Sequence, residues 1–252
     1  MDDGRSRRIL AGGLGSANPV GGLVLGVALA AVGFVAWQFA STALDLREYM
    51  LPPPGQVLEA LSDHWPNLSP AIAVTARIAA FSAVIGIGIA GPVCVVLGAL
   101  ALAMPGFSRA MRFAAMWIGD AGPLIVVTLL PLFVVWVGIT EGMRIRAAAT
   151  GSALAFATSL LGVLTANGVA GLALAVLRGL RHAVLLALLL VVVCDMVSGR
   201  DGLGHMLLAA TTMLNMPLAV AVALVIWTGG LMLSAGLLVL EWAVARTVER
   251  AR

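Results

Sequence analysis

The residues of this chain that could do chemistry are few. Asp120 and Asp195 stand inside apolar runs, in the contexts Ile118-Gly119-Asp120 and Val193-Cys194-Asp195. Two carboxylates in contact can share a proton and act as an acid and base pair, but nothing in these contexts brings the two together. An ionisable residue within a membrane span is costly and therefore commonly functional. Each aspartate, however, lies close to an expected membrane edge, where a solvated carboxylate costs little, so both readings stay open. Cys94 and Cys194 have no metal-ligand spacing and read as small packing residues. The chain contains no His-Glu-x-x-His, no Walker-type phosphate loop, no Gly-x-Ser-Gly and no Cys/His cluster. No catalytic residue and no metal site is expected, and the chain is not read as an enzyme.

The elements that must position these residues follow from composition. Of 252 residues, 61% are hydrophobic and 11% are charged, whereas a soluble domain carries about 25% charged residues. The chain cannot cover a water-facing surface and reads as an all-α, polytopic membrane protein. About 20 apolar residues cross the hydrocarbon, which predicts six spans: Val20–Ala40, Ala71–Ala103, Phe113–Val137, Ala147–Thr165, Leu172–Val197 and Pro217–Leu240. The second is longer than crossing requires, so it tilts or stands partly outside. The fifth crosses only if Arg178, Arg181 and His182 occupy one end and Asp195 the other. Between the first two spans, Pro54–Trp65 sets Val57, Leu58, Leu61 and Trp65 on one helical face and is expected to lie along the outside of the bundle.

All fifteen basic residues are arginine and the net charge is +3, a balance that reports membrane orientation rather than nucleic-acid binding. With the N-terminus in the cytoplasm, the inner segments hold Arg5, Arg7, Arg8, Arg109, Arg112, Arg178, Arg181, Arg246, Arg250 and Arg252. The outer side holds Arg47, Arg77, Arg144, Arg146 and Arg200. The excess places both termini inside. Arg5-Ser6-Arg7-Arg8 faintly echoes a twin-arginine signal, but no small-residue cleavage site follows, and the first span is expected to be uncleaved.

Several fragments, in order, are similar to one family. Leu51-Pro52-Pro53-Pro54-Gly55-Gln56-Val57-Leu58 follows the first span, and Thr75-Ala76-Arg77 opens the second. Pro131-Leu132 through Trp136-Val137-Gly138-Ile139 closes the third, and Gly179-Leu180-Arg181 begins the fifth. Cys194-Asp195 is followed by Asp201-Gly202-Leu203-Gly204-His205-Met206-Leu207. Together these resemble permease subunits of nitrate/sulfonate/taurine-type ABC importers, the inner-membrane components of binding-protein-dependent transport, from about residue 44 to the end.

The resemblance implies a single transmembrane domain over residues 1–252, a type I importer bundle in the bacterial inner membrane. Residues 1–43 form a cytoplasmic tail and extra first helix, 44–70 a periplasmic segment and 71–252 a five-helix core. It implies half of a translocation path for a small solute, with Arg77, Trp136 and Asp195 as path candidates. Gly202, Gly204 and His205 become outer-gate candidates, and Arg178 and Arg181 lie at the cytoplasmic face. It further implies a second permease, ATPase subunits that bind ATP and Mg, and a periplasmic solute-binding protein; this chain itself would bind no cofactor. An assembly subunit of the same fold is the other reading.

One departure stands out. The family carries a cytoplasmic coupling helix before its Gly-Leu-Arg, docked into a groove on the ATPase. A docking helix needs two turns, about eight residues, and between Thr165 and Leu172 there are six, Ala166-Asn167-Gly168-Val169-Ala170-Gly171. The coupling helix is therefore expected to be missing, which makes a heterodimeric pore the natural form of any importer.

Overall fold

The computed structural model describes residues 28, 32–41, 52–167, 172–199 and 201–250. The N-terminal tail, most of the first expected span, Arg200 and the end at Arg252 lie outside the described residues. Within them the chain is helical: α1 (Val32–Ser41), then α2 (Pro54–Asp63), α3 (Trp65–Ala103), α4 (Pro105–Val137), α5 (Glu141–Asn167), α6 (Leu172–Ser198), α7 (Leu203–Thr212) and α8 (Met216–Arg250). Three helices contain segments long and apolar enough to cross a membrane: Trp65–Ala101, Ala175–Val197 and Met216–Val244. α4 is a bent pair, Gly106–Gly119 and Leu124–Val137, with 65° between its arms, and makes a fourth span if the two arms are counted as one. The sequence has Pro123 in the joint, a residue with no amide to donate to a helix. The protein is thus membrane-embedded, and its described residues are all-helical apart from short links.

Local chemistry sets the boundaries. Gly138 ends α4 with φ +77, the left-handed conformation that glycine adopts most cheaply. Thr140 caps α5, its Oγ1 accepting the Met143 amide at 3.2 Å, with Glu141 in the first turn, where the helix dipole favours an acid. Asn215 caps α8 through the Leu218 amide at 3.3 Å. His64 is the single residue between α2 and α3, so the expected outer piece ends two residues early and Trp65 begins the long helix. On α2 only part of the expected face is covered. Val57 is buried and Leu61 packs toward α8, while Leu58 and Trp65 are exposed.

α5 lies at the centre, in contact with α3, α4 and α6. In hydrocarbon, helices associate through close packing and interhelical hydrogen bonds, so small residues gather at the crossings. Gly86 of α3 meets Ala149 and Ser152 of α5, and the Ser152 hydroxyl donates across to the Ser82 carbonyl at 3.1 Å. Between α5 and α6 the holes are reciprocal. Leu190 of α6 fills the space over Gly151, and Phe156 of α5 covers Gly179. Cys94 and Cys194 are both buried, in separate apolar clusters.

Gly86→Ala is expected to destabilise by about 1–3 kcal/mol. Its methyl would stand on the Ser152 hydroxyl and 2.9 Å from the Ala153 amide nitrogen. Gly88→Ala, with no heavy atom within 4 Å, should be neutral or gain up to about 1 kcal/mol of helix propensity. Thermal unfolding of the two purified variants checks this; equal midpoints would contradict the packing account.

Candidate functional site

The ends of the bundle are named from the chain path: upper where α5 and α7 begin and α6 ends, lower where α5 ends and α6 begins. At the upper end a buried polar cluster joins four segments. Arg144, one turn into α5, has a side chain only 7% exposed, and Asp195, one turn before the end of α6, is fully buried. Arg144 Nη1 donates to Asp195 Oδ1 at 2.9 Å. The same nitrogen donates to the Asp201 carbonyl at 3.2 Å, and Nη2 donates to Asp201 Oδ1 at 3.1 Å. Thr75 of α3 donates to Asp195 Oδ2 at 3.0 Å and accepts the amide of Leu203, the first residue of α7, at 2.9 Å.

Glycines let the backbone close around this carboxylate. Gly202 has φ +106, and a methyl there would collide with the Asp195 carboxylate. A methyl at Gly204 would collide with the Val192 carbonyl and stand 2.8 Å from Asp195 Cβ. Burial pulls the Arg144 guanidinium toward neutrality, but hydrogen bonding and charge from Asp195, then Asp201, outweigh it and raise its pKa. Arg144 Nε has no hydrogen-bond partner among the described residues. With both acids bound to a permanently charged arginine, the cluster is built to hold segments together rather than to move a proton.

The sequence-derived candidates divide accordingly. Asp195, Gly202 and Gly204 come together, while His205, the next residue, is exposed. Asp195 is not a solvated carboxylate at a membrane edge, as one reading of the sequence had it; it is buried and ion-paired. Arg77 lies outside the cluster, in an exposed pair with Glu141 at 3.1 Å. Trp136 is exposed and packs its edge on Phe133, with ring centroids 6.3 Å apart. At the lower half of α6, Arg178 is exposed and Arg181 faces Glu241 of α8 at 3.7 Å, a charge contact too long for a hydrogen bond. The side chain of Asp120 lies outside the described residues.

Thr75 and Arg144 were not singled out as site residues by the sequence. The available signal was the imbalance itself: a buried Asp195 demands a cationic partner, and Arg144 lies three residues before an expected span. The segment that holds the gate candidates runs into helix α7, with Leu203, Gly204 and Ala210 buried. Below, α5 reaches Asn167 and α6 starts at Leu172, leaving four residues, 168–171, outside the described set. No family model, no curated protein and no solved structure matches this chain.

Proposed function

We propose that the chain is a permease-type transmembrane subunit of an ABC importer, forming half of the path for a small solute beside a second, different permease. In this reading the first apolar run and α5 complete a six-span bundle, and both termini face the cytoplasm. Partner ATPase subunits bind ATP and Mg, and a periplasmic solute-binding protein delivers cargo to the upper end.

The observation that carries the reading is a convergence. Two of the fragments that resemble the permease family, Thr75-Ala76-Arg77 and Cys194-Asp195 with its following Asp201-Gly202-Leu203-Gly204, are far apart in sequence yet meet, together with Arg144, in one buried cluster. Such a cluster would keep α3, α5, α6 and α7 moving as one block during opening and closing. The four-residue link between α5 and α6 favours a partner permease as the site of ATPase docking. The same link favours the second reading, an assembly subunit of this fold that does not couple to an ATPase.

Purification of the native complex with identification of its subunits tests the proposal. A second permease and an ATPase are expected alongside this chain. A pore made of two copies of this chain, or a complex without an ATPase, would overturn it.

A further inference from the structure

Midway along the bundle and reaching into its lower half, the bent α4, α5 and α6 line a groove of about 510 Å³. Its walls are mostly apolar, formed by Ile118, Leu154, Leu185 and Leu189, and Ser159 and His182 line it as a polar pair. There Ser159 Oγ and His182 Nδ1 lie 2.9 Å apart. Below the groove the helices turn cationic. Arg178 lies one turn before His182 on α6, and Arg112 lies two turns before Gly119, a groove residue on α4. Both arginines are exposed, and neither has a carboxylate partner among the described residues. Among side chains described in the lower half, Glu241 is the one acid, and Arg181 engages it.

Direction adds to position. Side chains lean toward the N-terminus of their helix, and both α4 and α6 begin at the lower end. Arg112 and Arg178 therefore reach away from the groove toward the membrane surface, where long basic side chains place their charge.

We propose that this groove is a binding site for one anionic diacyl phospholipid from the leaflet at the lower end. Its phosphate sits between Arg112 and Arg178, its glycerol-ester region meets the Ser159–His182 pair, and an acyl chain fills the apolar wall. Charge complementarity selects the occupant: an apolar cavity alone would take any lipid, whereas unpaired guanidinium groups at its mouth select a phosphate with no compensating choline. The inference does not depend on transport activity or on the importer reading.

Native mass spectrometry of the detergent-purified full chain, titrated with phosphatidylglycerol or phosphatidylcholine, tests it. One phosphatidylglycerol should be retained in preference to phosphatidylcholine. The double variant R112Q/R178Q should lose that preference by roughly tenfold or more, since each arginine near a surface contributes measurably to anionic-lipid binding. R146Q, an exposed arginine at the upper end, should leave it unchanged. Gly119→Leu adds bulk to the groove without backbone collision, its first carbon 3.7 Å from Thr158, and should weaken retention of either lipid. Glycerol 3-phosphate, which has the headgroup charge without chains, should fail to compete. Equal retention by R112Q/R178Q and R146Q, undiminished binding by Gly119→Leu, or full displacement by glycerol 3-phosphate would each overturn the proposal.

Discussion

Replacing Arg144 with methionine is expected to cost about 3–5 kcal/mol of stability, the range for breaking a buried ion pair by removing one partner. Asp195 is fully buried, and without Arg144 its remaining contact from a neighbouring side chain is the Thr75 hydroxyl at 3.0 Å. One neutral donor cannot offset the desolvation of a carboxylate. The acid on the other side behaves differently: the Asp201 side chain is 58% exposed, so Asp201→Asn should cost under about 1 kcal/mol. Removing both buried charges in R144M/D195L should recover much of the single-variant loss, because two apolar side chains replace the pair without leaving a charge behind. Unfolding of the detergent-purified variants, followed by circular dichroism, orders the three. If R144M were as mild as Asp201→Asn, the cluster would not be a structural brace.

Gly202→Val should be nearly as damaging, through geometry rather than charge. At φ +106 a branched side chain carries backbone strain of about 1–3 kcal/mol, and its first carbon would collide with the Asp195 carboxylate and stand 3.1 Å from Thr75 Oγ1. Gly204→Ala tests the same closure without the φ term, since its methyl meets the Val192 carbonyl and Asp195 Cβ. Both should lower the unfolding midpoint and the yield of folded protein, and, in the importer reading, assembly as well. Gly229→Ala on α8, with open space around it, is the control. Equal midpoints for all three would show that these glycines are not needed for close approach.

The long helices were legible because hydrophobic length alone marks a span. α3, α6 and α8 contain the expected segments, and the bend of α4 falls at a proline visible in the sequence. What length could not supply was facing. α3 is apolar almost all round, so no polar face identifies the side turned to α5. Thr75 and Arg77 illustrate the cost. They are two positions apart, about 200° around a helix, so the threonine enters the cluster while the arginine points to the surface and Glu141. A single position, about 100°, separates buried Gly204 from exposed His205. Asp195 was found by residue type but its setting stayed open, because counting residues from the end of a span says nothing about a partner on another helix. The glycines were legible as permissive; the carboxylate they close around required three dimensions.

The short link between α5 and α6 also bears on how the chain enters a bilayer. Two long helices joined by four residues and packed against each other form a hairpin whose contacts are local in sequence, the kind that forms early. Its open end carries Arg144 on one arm and Asp195 on the other. Inserted alone, α5 would bring an unpaired guanidinium to the edge of the membrane, where a charge without a partner is costly to bury. Inserted as a hairpin, the two charges travel as a neutral pair. Insertion of α5 in a translocation assay should therefore be more efficient when α6 follows it, and D195L should remove that advantage. The brace at the upper end is then also the passenger that lets its own two helices cross.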